Sequence, residues 1–217
     1  MIELQRVSKA YKVGLGSNRV LDDVSVTFPT GVSVGVLGLN GAGKSTLLRI
    51  IGGAEPPDRG TVYKDVRVSW PIAFSGGFHA SLTGRENTRF IARVYGESPA
   101  KFERFAEEFT EIGQYFDMPV RTYSTGMRSR LAFAVSMACD FDCYLVDEVT
   151  ATGDSRFARR YREAFKERLK DASIIMVSHN AQTIREFCAV GAIIHRGKLE
   201  LFDTLSKAMA AYSQYAL

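Results

Sequence analysis

Residues 38–46, "GLNGAGKST", combine the residue types that bind phosphate groups. Glycines in such a stretch let the backbone curl until several N–H groups point at one centre, and a helix that begins there adds partial positive charge. A lysine places a point charge beside the β- and γ-phosphates, and the serine after it offers a hydroxyl to Mg²⁺. The full GxxxxGK[ST] pattern follows the apolar run "GVSVGVLGL" and therefore predicts a nucleotide-binding loop. Its candidate binding residues are Gly38, Asn40, Gly41, Ala42, Gly43, Lys44, Ser45 and Thr46.

Two adjacent carboxylates end the apolar segment "CYLVDE", which is typical of a buried strand. Neighbouring residues of a strand point to opposite sides, so Asp147 and Glu148 have different predicted roles. Asp147 would hold Mg²⁺, directly or through water, and Glu148 would orient or deprotonate an attacking water. Taken alone, the pair is equally consistent with surface acids that cap a strand. Together with the phosphate loop, it favours hydrolysis of the nucleotide.

A histidine ends a further apolar segment, "IIMVSH", in the same way. The carboxyl ends of strands in α/β sheets present side chains to ligands, so His179 is a candidate contact to the γ-phosphate. The spacing of His79 and His195 supports no such role. A second glycine-containing helix start, "YSTGMRSR" at residues 123–130, resembles a further anion site and calls for a separate explanation.

The segments that must position these residues alternate between strand and helix patterns. Two short β segments begin the chain and are separated by an expected turn at residues 14–18. Buried strands and helices then alternate, a helical stretch spans about residues 83–142, and "VGAIIHRGKLELF" predicts two strands around a turn before a helical tail. This order predicts one α/β domain over residues 1–217 with a mostly parallel sheet, an N-terminal antiparallel β subdomain and an inserted helical subdomain.

The composition is that of an ordinary globular protein. The 217 residues are 46% hydrophobic, and the formal net charge is +4, which is compatible with phosphate ligands or an anionic membrane surface. No apolar run reaches the roughly 18 residues that span a bilayer, because Asp140 and Asp142 interrupt the longest candidate. The three cysteines show no metal-type spacing, and the N-terminus lacks the apolar core of a signal peptide. These features favour a protein of the reducing cytosol.

The phosphate loop, "YSTGM", "LVDE", "ATGD" and "VSH", in that order, resemble an ATP-binding cassette (ABC) ATPase. The resemblance covers essentially the whole chain and implies a RecA-like core that uses ATP and Mg²⁺, with Lys44, Glu148 and His179 as catalytic residues. It implies that Ser124 and Gly126 bind the ATP held by the phosphate loop of a second copy, so that two chains form a homodimer. Asp154 would be the D-loop aspartate. Tyr11 would stack on adenine, although a core aromatic at a strand end is the alternative.

The sequence departs from the usual family pattern at several positions. Thr125 and Met127 replace glycine and glutamine in the signature, and Val149 replaces the proline that commonly follows the catalytic glutamate. No glutamine occupies the Q-loop in "SWPIAFSGGFHASLTGREN", where three residues remain as candidates for that role. These candidates are Phe74, Ser75 and His79.

The motifs "GGFHASLTGREN" and "YSTGMRSRLAFAVS" are similar to those of the subfamily that exports capsular polysaccharide, O-antigen and teichoic acid. The chain ends at Leu217, just after the ATPase core, which makes it most similar to the capsule-export branch. The resemblance implies a homodimeric transmembrane permease as partner and periplasmic and outer-membrane export proteins as indirect partners. It also implies a peripheral position on the cytoplasmic side of the bacterial inner membrane and no nucleic acid.

The segment Trp70–Arg85 is rich in aromatic residues and glycine, and it is the expected docking surface for the permease. A buried aromatic cluster between two lobes is the alternative explanation of the same residues. Two other functions remain as alternatives: the ATPase of another ABC exporter or importer, and a soluble ABC ATPase that acts on nucleic acid or ribosomes. The net charge of +4 and the absence of sustained heptads count against the last.

Overall fold

The computed structural model describes residues 1–14, 16–72, 77–147, 155–178 and 181–215. The chain divides into two compact units. The first contains Met1–Pro71, Phe141–Val149 and Asp171–Leu217, and the second contains Ile72–Asp140 and Thr150–Lys170.

A three-stranded antiparallel sheet begins the first unit. It consists of β1 (Ile2–Val13), β2 (Gly16–Phe28) and β4 (Arg59–Lys64), in the order β2-β1-β4. Val13 pairs with Gly16, so only two positions separate the first strands. The turn expected at residues 14–18 is therefore too long. Asn18 lies within β2, opposite Tyr11, because the pairing of β1 with β2 continues as far as Val13 and Gly16.

A six-stranded sheet forms the centre of the first unit, in the order β5-β6-β7-β3-β8-β9. Its strands are β3 (Val34–Leu37), β5 (Val68–Ile72), β6 (Cys143–Asp147), β7 (Ser173–Val177), β8 (Val190–His195) and β9 (Lys198–Phe202). Strands β6, β7, β3 and β8 pair in parallel, and β9 pairs with β8 in the antiparallel direction. Their apolar runs are buried on both faces, as expected for parallel strands. The carboxyl ends of β3, β6 and β7 therefore meet at one edge of the sheet.

Among the residues that the structure describes, three helices belong to the first unit: α1 (Lys44–Gly52), α6 (Ala181–Phe187) and α7 (Leu205–Tyr215). The apolar side of α1 is buried through Leu47, Leu48 and Ile51 in the same core as the sheet. Helix α7 packs against β8 where Gly191 faces Ala208, and a Cβ added to the glycine would lie 2.3 Å from the alanine Cβ. Glycine at this position permits the close approach of helix and strand.

The second unit is helical. It contains α2 (Gly84–Val94), α3 (Pro99–Thr110), α4 (Thr125–Ala138) and α5 (Ser155–Arg168), with short 3₁₀ helices at Gly113–Asp117 and Val120–Thr122. Thr83 and Glu86 form a capping box that fixes the start of α2. Phe133 of α4 packs against Phe109 of α3 and stacks on Tyr161 of α5. The unit includes α5, which lies outside the stretch expected at 83–142.

The predicted fold class is confirmed: the protein is α/β, with an antiparallel sheet, a mostly parallel sheet and a group of helices. In the ranges that the structure describes, none of the helices combines the length and the apolar character needed to cross a membrane.

Candidate active site

The glycine-rich loop joins the carboxyl end of β3 to the start of α1. Gly43, which precedes the helix, has φ +105°, and Gly41 has φ +77°; side chains disfavour both conformations. A Cβ on Gly43 would also lie only 2.8 Å from the carbonyl oxygen of Val20. The loop conformation and its contact with β2 therefore both require glycine at position 43.

Lys44 folds back across the loop that precedes it. Its Nζ donates hydrogen bonds to the carbonyl oxygens of Gly38 at 2.7 Å and Leu39 at 2.9 Å. The residue is only 7% exposed, so the loop holds the ammonium group in a defined position. The amide of Ala42 donates to the Leu39 carbonyl and closes the turn. The result is a fixed positive charge beside the N-terminus of α1, an arrangement suited to polyphosphate.

Ser45 and Asp147 meet at the same edge of the sheet. The Ser45 hydroxyl donates a hydrogen bond of 3.1 Å to Oδ1 of Asp147, the last residue of β6. A hydroxyl and a carboxylate oxygen are hard ligands of the kind that Mg²⁺ takes together with phosphate oxygens and water. The chemistry of the two side chains therefore fits a magnesium ion.

A cavity of about 340 Å³ collects most of the predicted binding residues of the first unit. Those on its wall are Tyr11, Asn40, Gly41, Gly43, Lys44, Ser45, Thr46 and Asp147. Gly38 and Ala42 are not on this wall but stabilise the loop: the Gly38 carbonyl accepts a hydrogen bond from Lys44, and the Ala42 amide donates one to Leu39. The structure therefore brings together residues from β1, the glycine-rich loop, α1 and β6.

Three residues of this cavity were not predicted from the sequence: Asn18, Val20 and Val177. Asn18 pairs with Tyr11 across the β1–β2 hairpin, and Val20 contacts the loop at Gly43. The register of the hairpin would have identified both residues, but the expected turn at 14–18 removed Asn18 from the strand. Val177 ends β7, one residue before Ser178.

The Tyr11 hydroxyl is part of a hydrogen-bonded group at the side of the cavity. It donates to Oε1 of Glu55 at 2.7 Å and lies 3.1 Å from the Thr46 hydroxyl. Arg49 donates to the same hydroxyl at 3.3 Å and to Oε2 of Glu55 at 3.0 Å. Tyr11 is half-buried, and its hydroxyl is tied to α1.

The second predicted anion site lies at the start of α4 in the helical unit. Ser124 is the N-cap, and its hydroxyl accepts a hydrogen bond from the Met127 amide at 3.2 Å. Ser124 is exposed, and a Cβ on Gly126 would meet no atom closer than 3.9 Å. The helix start therefore presents its amides and the serine hydroxyl at the surface of its unit, as an anion site requires.

Tyr123 directly precedes the N-cap of α4 and fixes the start of this helix. It is buried, and its hydroxyl donates to the carbonyl oxygen of Tyr115 at 2.6 Å. Burial raises the pKa of the Tyr123 phenol to about 12, so it stays protonated and keeps donating at neutral pH. A Cβ added to Gly84 would lie 2.3 Å from the Tyr123 hydroxyl oxygen. The glycine of "LTGREN" thus makes room for the anchor of "YSTGM".

Several predicted residues lie outside the described part of the chain: Glu148, Val149, Asp154, His179, and the Q-loop candidates Phe74 and Ser75. The third Q-loop candidate, His79, is exposed, and its Nδ1 accepts a bond from the Ser81 amide. Within the predicted docking segment, Trp70 is half-buried and packs edge-to-face on Phe141 with ring centroids 5.4 Å apart.

The chain matches the family model described as "ABC transporter" over residues 21–151. It is 45% identical to the polysialic acid transport ATP-binding protein KpsT of Escherichia coli over 99% of this chain and 97% of that protein. It is 46% identical to the capsule polysaccharide export ATP-binding protein CtrD of Neisseria meningitidis over 98% of this chain and 99% of that protein. Its fold is similar to that of the ATP-binding cassette MJ0796, whose dimeric structure is bound to ADP and Pi. The TM-score is 0.75 and the sequence identity is 22%, and the match covers 92% of this chain and 97% of that chain. The chain belongs to the ATP-binding cassette family of ABC transporters.

Proposed function

We propose that this chain is the ATP-hydrolysing subunit of an ABC transporter that exports a polysaccharide. Among such transporters, we place it in the capsule-export branch. The main support is the similarity to KpsT and CtrD, which extends over nearly the full length of all three chains. The cavity that gathers the glycine-rich loop, Ser45 and Asp147 supplies the physical basis for the ATPase activity.

Different residues of the first unit bind ATP and hydrolyse it. The loop amides and Lys44 hold the β- and γ-phosphates, and Tyr11 stacks on the base. Ser45 and Asp147 would hold Mg²⁺, which would neutralise charge on the phosphate oxygens. Glu148 orients or deprotonates the attacking water, and His179 contacts the γ-phosphate.

Hydrolysis requires a second copy of the chain. In this proposal, Ser124 and Gly126 of one copy cover the ATP bound by the loop of the other, with Asp154 at the contact between them. The exposure of Ser124 and the open space above Gly126 support a ligand that comes from another molecule. ATP closes the dimer and hydrolysis opens it, because the closed state binds ATP more tightly than ADP.

The motion is passed to a homodimeric transmembrane permease that exports a lipid-linked polysaccharide. The chain lies on the cytoplasmic side of the inner membrane and docks through the segment Trp70–Arg85. Periplasmic and outer-membrane proteins act further along the export route.

A complementation experiment tests this function in the organism that carries the chain. Deleting the gene should remove the polysaccharide from the cell surface and leave it inside the cell, as measured by immunoblotting of surface and lysate fractions. The wild-type chain should restore export, Lys44→Ala should not, and Lys207→Ala at an exposed position of α7 serves as the control. Unchanged surface polysaccharide in the deletion strain would refute an export role.

A further inference from the structure

We infer that Glu55 is a positioning residue that fixes the Tyr11 ring at the nucleotide cavity and thereby sets the affinity for the adenosine part of ATP. The inference rests on the proposed role of Tyr11 at the base and adds a residue that the family motifs do not include. Glu55 lies after α1, outside the glycine-rich loop, and does not line the cavity.

The short hydrogen bond from Tyr11 to Glu55 is the first observation. The phenol donates to Oε1 at 2.7 Å, while Arg49 holds the other carboxylate oxygen, Oε2, at 3.0 Å. Glu55 is only 20% exposed at its side chain, so water competes little for these bonds. A carboxylate held at both oxygens fixes the position of the phenol and therefore the plane of its ring.

A lysine braces the same carboxylate. Lys9 lies two residues before Tyr11 on β1, and its Nζ is 3.3 Å from Oε1 of Glu55 and 3.1 Å from Asp58. Burial opposes the charged form of Glu55, but the hydrogen bonds from Tyr11, Arg49 and Lys9 outweigh it and lower the pKa of the carboxyl. Glu55 is therefore an ionised acceptor at neutral pH.

The same group of residues contacts the phosphate loop. Thr46, two residues after Lys44, lies 3.1 Å from the Tyr11 hydroxyl and accepts a bond of 3.2 Å from Arg49. The Lys9 ammonium also lies 5.8 Å from the centre of the Tyr11 ring, on one face. In this proposal a base would stack on the face of the ring that Lys9 does not occupy. The aromatic ring is thus set in place before nucleotide binds, which lowers the entropy cost of stacking.

Binding measurements with two probes separate the base from the phosphates. Dissociation constants for ATP and for inorganic tripolyphosphate are measured by displacement of a fluorescent ATP analogue from the full chain. Tyr11→Phe removes the hydrogen bond to Glu55, and Glu55→Gln weakens it by removing the charge of the acceptor. Each variant should weaken ATP about three- to tenfold and change tripolyphosphate less than twofold. Tyr11→Ala should weaken ATP about tenfold or more through lost stacking.

The control is Asp22→Asn, which removes a carboxylate paired with Arg19 in the same antiparallel sheet without a contact to Tyr11. It should leave both constants unchanged, and thermal unfolding of every variant checks the fold. If Tyr11→Ala weakens ATP but neither Glu55→Gln nor Tyr11→Phe does, the positioning role is wrong and the base contact stands. If Glu55→Gln weakens both probes equally, Glu55 acts on the phosphate loop and the inference is overturned. If Tyr11→Ala has no effect, the proposed base contact itself fails.

Discussion

The Ser45 hydroxyl lies 3.1 Å from Oδ1 of Asp147, although 102 positions separate the two residues in the chain. Ser45 lies in the first turn of α1 and Asp147 ends β6, and the order of the parallel strands brings them together. The contact links the phosphate loop to the strand that ends at Asp147, the predicted magnesium ligand.

Removing either partner should lower the rate of Mg²⁺-dependent ATP hydrolysis much more than it weakens ATP binding. We expect Asp147→Asn and Ser45→Ala to reduce the ATPase rate by about 10² or more, because charge stabilisation in the transition state is lost. Binding of ATP in the presence of EDTA should change little. The measurements are steady-state ATPase rates over a Mg²⁺ titration and ATP binding without metal.

Asp171→Asn, at an exposed position after α5, is the matched control. An Asp147→Asn variant that keeps a normal rate and a normal Mg²⁺ dependence would contradict the assignment of this pair.

The sequence predicted the parts of the site that depend on local pattern. The glycine-rich loop and Lys44 are contiguous, and Asp147 is marked by the apolar run before it. Asn18 and Glu55 could not be found in this way, because their roles depend on hairpin register and on contacts across 44 positions between Tyr11 and Glu55. Likewise, the order of strand and helix patterns could not place α5 with α2, α3 and α4 in one unit.

Gly84 and Tyr123 should be coupled in their effect on stability. Gly84→Ala places a methyl group against the fixed Tyr123 hydroxyl and should cost about 1–3 kcal/mol. Tyr123→Phe removes the hydrogen bond to the Tyr115 carbonyl and should cost about 1 kcal/mol. In the double variant the clashing oxygen is gone, so the loss should be smaller than the sum. Urea unfolding of the four proteins measures the coupling, and strictly additive losses would argue against the contact.

Acid should weaken the clamp that Arg85 makes between α2, α3 and the 3₁₀ helix at Gly113–Asp117. Arg85 donates to Asp117 at 2.6 Å and to Glu107 at 3.0 Å. The Arg85 hydrogen bond lowers the pKa of Asp117 below 3.8, and the Arg89 hydrogen bond, with Arg85 nearby, lowers that of Glu103 below 4.5. The stability from these depressed pKa values is present above pH 4.5 and is lost as the pH falls through the lowered values.

Arg85→Gln should therefore lower the unfolding temperature at pH 7 and show a smaller further decrease between pH 5 and pH 3 than the wild type. The effect is modest because Asp117 is 61% exposed at its side chain. Arg121→Gln, at an exposed position of the same unit, should leave the acid profile unchanged. Parallel profiles for wild type and Arg85→Gln would show that the clamp does not contribute to acid sensitivity.

The most direct test of the account is the mass of the Glu148→Gln chain in solution, measured by light scattering with and without Mg-free ATP. The variant should bind ATP without hydrolysing it. We predict a shift from 24.0 kDa towards twice that mass only when ATP is present. Adding Ser124→Arg should prevent the shift, and adding Ala100→Arg, at an exposed position of α3, should not. An ATP-dependent dimer that still forms with Ser124→Arg would contradict the claim that "YSTGM" of one chain covers the nucleotide of the other.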